Sequence, residues 1–142
     1  MSLAEWDGKY LIGVAEIDAH HQHLFKLIQQ AFDDYSKGSS DQVVRTLLDE
    51  LMEYAAYHFA AEEILMGEIG YPKLLEHSAE HTLFSDKVKE MMDLYESIGS
   101  SVLTSILIFL NAWLTQHILQ KDMDYARYCK DRPLAPSKIA TA

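Results

Sequence analysis

At 142 residues the chain has room for one domain with a core burying roughly 70% of its unfolded surface, and none for a second catalytic unit. Its formal charge of −10, from 22 acidic and 12 basic side chains, repels polyanions and excludes nucleic acid and anionic membrane surfaces as partners. The single cysteine, Cys129, rules out an internal disulfide, and an amino terminus without the plan of a signal peptide sets the expectation of a cytoplasmic protein.

Residues 1–17 read as an arm whose Trp6, Tyr10, Gly13 and Val14 are expected to pack onto the body of the protein. Three glycine-bearing breaks divide the rest of the chain: residues 37–40 with Gly38, residues 67–72 with Gly67, Gly70 and Pro72, and residues 97–101 with Gly99. Glycine suits the left-handed residue that ends a helix, serine or aspartate caps the next one, and proline is tolerated in a first turn. Helices are therefore predicted near 18–37, 41–66, 72–96 and 101–120.

Each predicted helix carries an apolar stripe at three- and four-residue spacing. The first runs through Ile17, Leu24, Ile28, Ala31 and Tyr35, and the second through Val44, Leu47, Leu51, Ala55 and Leu65. The third runs through Leu74, Phe84, Val88, Met91 and Tyr95, and the fourth through Leu103, Ile106, Leu110, Trp113 and Leu114. The longest apolar run, Val102 to Leu114, is broken by Thr104, Ser105 and Asn111 and falls short of the ~20 residues a bilayer requires. Short connections between helices of similar length favour antiparallel neighbours, so the expected fold is all-α: an up-down-up-down four-helix bundle over residues 18–130. Residues 131–142, with Pro133 and Pro136, read as a tail, and the acidic surface points to a monomer.

The stripes contain polar residues that an apolar core does not accept without partners: His21, His58, Glu62, His77, His81 and His117. Depth shows that they are not scattered. Counted from the break near residue 69, His58 and Glu62 lie 11 and 7 residues back, while His77 and His81 lie 8 and 12 forward. The same count from the other two breaks brings His21 and His117 to that layer, at about 1.5 Å of rise per residue. Asp122 follows His117 by five residues, a step that turns about 140° around a regular helix. A π-bulge or helix end near Leu119 to Lys121 is therefore predicted to swing Asp122 inward. His20 and His23 point about 100° and 200° away from the first stripe and are read as surface residues.

Five imidazoles and two carboxylates exceed what one tetrahedral zinc takes. With both carboxylates and a solvent oxygen bridging, they fill all but one position of two six-coordinate ions. Nitrogen and oxygen donors without thiolate suit iron or manganese, and iron is favoured because dioxygen chemistry needs one-electron steps.

Trp6-Asp7, Ile17-Asp18-Ala19-His20-His21, His58-Phe59-x-x-Glu62-Glu63, His77-x-x-x-His81 and Trp113-Leu114-x-x-His117-x-x-x-x-Asp122 together resemble the bacterial hemerythrins over nearly the whole chain. The resemblance implies a non-haem, oxo- or hydroxo-bridged di-iron centre that binds O2 reversibly as a carrier, store or sensor and not as an enzyme. It assigns His77, His81 and His117 to one iron, His21 and His58 to the iron with the open position, and Glu62 and Asp122 to both. Leu24, Phe59, Trp113, Leu114 and Ile118 match that family's apolar oxygen pocket. The family usually has glutamine where this chain has His20, so the register of the first helix rests on the stripe.

Two other functions compete. His77-Ser78-Ala79-Glu80-His81 also fits the H-x-x-E-H pattern of inverted zinc metallopeptidases, but that reading leaves His21, His58, Glu62 and His117 without a purpose, and Glu80 is expected to face solvent. A di-iron oxidase of the ferritin type carries two Glu-x-x-His pairs, and this chain has none.

Overall fold

The glycine-bearing breaks are helix ends in the computed structural model of the chain, which describes residues 6–130 apart from the side chain of Ser100. The helices are α1 (Ala15–Ser36), α2 (Asp41–Glu68), α3 (Leu74–Ile98) and α4 (Leu103–His117). From α4 the chain passes through a π segment (Ile118–Asp122) directly into α5 (Met123–Lys130). After α1 and α2 it turns on Gly38 (φ 76°) and Gly70 (φ 66°), left-handed values that a Cβ would strain. Across these turns the Ser39 amide donates to the Asp34 carbonyl at 3.0 Å, and the Tyr71 amide to that of Met66 at 2.9 Å. Both contacts satisfy carbonyls left open by the last helical turn. Ser40 then accepts from the Val43 amide at 3.3 Å and starts α2.

The third helix begins later than expected, at Leu74. Pro72 sits in the preceding turn, where the Leu74 amide donates to the Tyr71 carbonyl at 3.2 Å and Lys73 is non-helical (φ −101°, ψ 21°).

The four long helices form the expected bundle: α1 packs on α2 and α4, and α3 packs on the same two. Apolar stripes face inward. Ile17, Leu24, Ile28 and Ala31 of α1 share one buried core with Val44, Leu51 and Ala55 of α2, Phe84 and Val88 of α3, and Leu103, Ile106 and Leu110 of α4. In α2 the inward position belongs to Leu48, with Leu47 only partly buried, because Leu48 stands two helical turns ahead of Ala55 and shares its face. Replacing Leu110, which is 1% exposed, by alanine is expected to lower the unfolding free energy by about 2–5 kcal/mol in a urea titration.

Ahead of α1, Trp6 stacks on Tyr10 at 5.8 Å and meets the edge of Phe25 at 5.5 Å. The carboxylate of Asp18, in the first turns of α1, accepts the amides of Ile12 at 2.8 Å and Gly13 at 3.2 Å. These contacts tie the segment before α1 to the helix that carries His21. Residues 1–5 of the expected arm, and the whole expected tail at 131–142, lie outside the described residues. Among the described residues no helix is long and apolar enough to cross a membrane.

Candidate metal centre

The bundle delivers seven candidate donors to one layer: His21 from α1, His58 and Glu62 from α2, His77 and His81 from α3, His117 from α4 and Asp122 from the π segment. All seven are buried, with His21, Glu62 and Asp122 fully enclosed. The π segment explains the last of them. His117 and Asp122 are five residues apart, and widening the backbone ring by one residue over Ile118–Asp122 brings both side chains inside.

The donors form two groups. In one, atoms of Glu62, His77, His81 and His117 all lie within 4.8 Å of one another; in the other, atoms of His21, His58, Glu62 and Asp122 do. Glu62 belongs to both. Its Oε1 stands 3.1 Å from His58 Nε2 and 3.3 Å from His81 Nε2. Asp122 also reaches both sides, with Oδ2 3.0 Å from His21 Nε2 and Oδ1 3.1 Å from both His77 Nε2 and His117 Nε2. The Nε2 atom of His117 further lies 3.2 Å from that of His81 and 3.0 Å from that of His77.

Protein partners alone leave this cluster unsatisfied. Both nitrogens of His21, Oε1 of Glu62 and both oxygens of Asp122 are buried without a hydrogen bond, because their close neighbours lie off the donor and acceptor directions. A buried carboxylate in that condition is costly, and a bound cation removes the cost. Burial and the nearby Asp122 push the Glu62 carboxyl up, but the imidazoles of His58 and His81 outweigh them and hold it well below the usual carboxylate range. Asp122, also pushed up by burial, is held well down by His117, His21 and His77. Both side chains are anions, as metal donors must be. The set of nitrogen and oxygen donors fits non-haem iron.

Tyr125 of α5 fixes one of these carboxylates: its hydroxyl donates to Glu62 Oε2 at 2.6 Å. Burial and the Glu62 charge push the pKa of that hydroxyl well above its usual value, so it stays a donor. Replacing Tyr125 by phenylalanine is expected to cost about 1.5–3 kcal/mol of stability in urea unfolding, the range for a buried bond to a charged group. A change of only a few tenths would contradict the role given to the hydroxyl.

Aromatic rings close the layer. Phe59 stacks on His81 at 4.0 Å and lies 5.8 Å from His58, and Trp113 stacks on His117 at 4.3 Å. Phe59 and Trp113 meet at 5.7 Å. Leu24, Leu114 and Ile118 are buried in the core, and Trp113 packs half-buried against it. With Glu80, Leu83, His117 and Lys121, Trp113 lines a surface cavity of about 240 Å³.

Three residues depart from their expected surface positions. His20 is 5% exposed, because Tyr54 and Tyr57 of α2 cover its ring at 5.7 and 5.0 Å. His23 is half-buried, its ring 4.4 Å from that of Tyr54. Glu80 is about one-third exposed and places Oε2 3.3 Å from His117 Nδ1, on the opposite side of that ring from the Nε2 that faces Asp122. It therefore stands behind a candidate ligand rather than in the position of a peptidase base. Sequence spacing alone misses Glu63 and Tyr125. Both touch the cluster only through contacts between different helices, Glu63 at His81 and Tyr125 at Glu62, and no repeat along one helix marks them.

Comparison with known proteins agrees with this geometry. The profile of the hemerythrin HHE cation binding domain matches residues 12–129. A bacteriohemerythrin of Clostridium acetobutylicum is 30% identical, over 84% of this chain and 96% of its own length. One from Stenotrophomonas maltophilia is 29% identical, over 92% of this chain and 84% of its own. A hemerythrin-like protein of Naegleria gruberi is 28% identical, over 84% of this chain and 88% of its own.

Proposed function

The chain belongs to the hemerythrin family, and from that premise we propose that it binds O2 reversibly at a pair of non-haem iron ions held by its buried donor cluster. The observation that carries this reading is a fully enclosed carboxylate, Glu62, shared by two donor groups that contain buried atoms without hydrogen bonds. His77, His81 and His117 would hold one ion, and His21 and His58 the other, with Glu62 and Asp122 serving both. Held there, such a pair in its reduced state would supply electrons that O2 could take up and return.

The chain's own residues set the conditions for that exchange. Five imidazoles beside two carboxylates bring less negative charge than a carboxylate-rich shell, which favours reversible binding over cleavage of the O–O bond. Phe59 and Trp113, with the core residues Leu24, Leu114 and Ile118, would keep water from the bound ligand. In this reading residues 18–130, together with the first residues of α1 from Ala15, are the binding unit, the segment before α1 an arm on it and residues 131–142 a tail. Its task is carriage, storage or sensing of O2, without turnover of a substrate.

The test is optical. Iron-loaded protein, reduced without air, is expected to gain a visible absorption band on exposure to O2 and to lose it when O2 is removed. A featureless spectrum, or one zinc per chain with peptidase activity, would overturn the proposal.

A further inference from the structure

His81, His117 and His58 each have a partner on the ring nitrogen that points away from the cluster, and the partners are not alike. His81 Nδ1 lies 3.2 Å from Glu63 Oε2, and the other oxygen of Glu63 accepts the Ser78 hydroxyl at 2.6 Å. His117 Nδ1 lies 3.3 Å from Glu80 Oε2, whose partner oxygen is 3.4 Å from the Lys121 ammonium. At His58 the partner is an imidazole: its Nδ1 lies 3.1 Å from Nδ1 of a second buried histidine, His20.

We infer that His20 is a positioning residue for His58, accepting the His58 Nδ1 proton and so leaving Nε2 of His58 as the lone pair that faces the cluster. This inference rests on the reading of His58 as a metal donor. Two ring nitrogens at that distance need one donor and one acceptor, so the bond selects between two arrangements. With the proton on His58 Nδ1, the proton of His20 sits on its own Nε2, which faces Glu16 Oε1 at 3.9 Å, one turn earlier on α1. The opposite arrangement turns the His20 lone pair toward that carboxylate and puts a proton on His58 Nε2, close to Glu62 Oε1 but without an aligned hydrogen bond there. Glu62 at 3.1 Å attracts that proton more than half-exposed Glu16 attracts the other, so it is a metal on Nε2, which needs the lone pair there, that selects the first arrangement.

The slot for His20 is built by α2. Tyr54 and Tyr57 pack on its ring, one turn before His58 and beside it, so the imidazole cannot swing away from its partner. The result places the supporting negative charge on half-exposed Glu16 instead of inside the bundle. Partners of this kind orient a ligand and raise its basicity, and their loss typically lowers metal affinity about 10–100-fold.

The experiment compares the full chain with its His20→Leu, His20→Gln and His23→Leu variants, using Zn²⁺ alone as the metal. Affinity is read by titration, and the His58 tautomer by ¹⁵N NMR of the ring nitrogens with and without Zn²⁺. The leucine variant at 20 is expected to bind Zn²⁺ at the group that contains His58 at least ~10-fold less tightly and to lose the hydrogen-bond signature at His58 Nδ1. The glutamine variant, whose amide oxygen can accept the same proton, is expected to regain most of both, and the variant at 23 to resemble the parent. Unchanged affinity and an unchanged His58 tautomer in His20→Leu would overturn the inference, as would a glutamine variant no better than leucine. Because no step uses O2, a chain that shows this pattern yet never binds O2 would contradict the proposed function alone.

Discussion

Replacing Glu62 by glutamine is expected to strip metal from both halves of the centre at once, leaving under half the parent's iron per chain by elemental analysis. The reason is position: Glu62 alone appears in both donor groups, with one oxygen close to His58 and His81 together. An amide keeps the shape but loses the anion that offsets cationic charge in an enclosed site. It can also turn an N–H toward an imidazole lone pair. The neighbouring Glu63→Gln variant separates this from general damage to α2. Glu63 meets the cluster at the outer nitrogen of His81, so iron loss there should follow the milder pattern of a supporting partner, about 10–100-fold in affinity. Equal and small losses in both variants would show that Glu62 is not the shared donor.

The second large effect is on the whole fold. Removing the metal with a chelator is expected to lower the melting temperature by on the order of 10 °C. A ligand held at roughly a thousand times its Kd stabilises the folded state by about 4 kcal/mol, and a domain of this size shifts by a few degrees per kcal/mol. The structure gives the effect a source. Without an ion, Glu62 and Asp122 are two carboxylates enclosed in the same layer, each held charged by imidazoles yet with oxygens lacking hydrogen bonds. Differential scanning calorimetry before and after chelation, and again after adding iron(II) back without air, measures it. A melting temperature that ignores the metal would mean that these side chains find partners within the protein.

The helices and their ends are legible in the sequence because glycine, serine and proline act locally: Gly38 and Gly70 close α1 and α2, and Ser40 caps α2. That the seven side chains share one layer is legible for a similar reason, since antiparallel helices joined by short turns let depth be counted from the loops. Even the π segment is foreseeable, from the five-residue step between His117 and Asp122. What spacing does not show is the layer around the donors. His20 points away from the stripe of its own helix and is nevertheless buried, because Tyr54 and Tyr57 reach across from α2. Glu63, Glu80 and Tyr125 likewise gain their roles from side-chain reach between helices, which a periodicity along one helix does not contain.

Anomalous diffraction from crystals of iron-loaded protein, recorded on either side of the iron absorption edge, addresses the central claim most directly. Two iron peaks are expected within the bundle, one against His77, His81 and His117 and the other against His21 and His58, with Glu62 and Asp122 between them. A single peak, or iron bound anywhere other than this layer, would contradict the account.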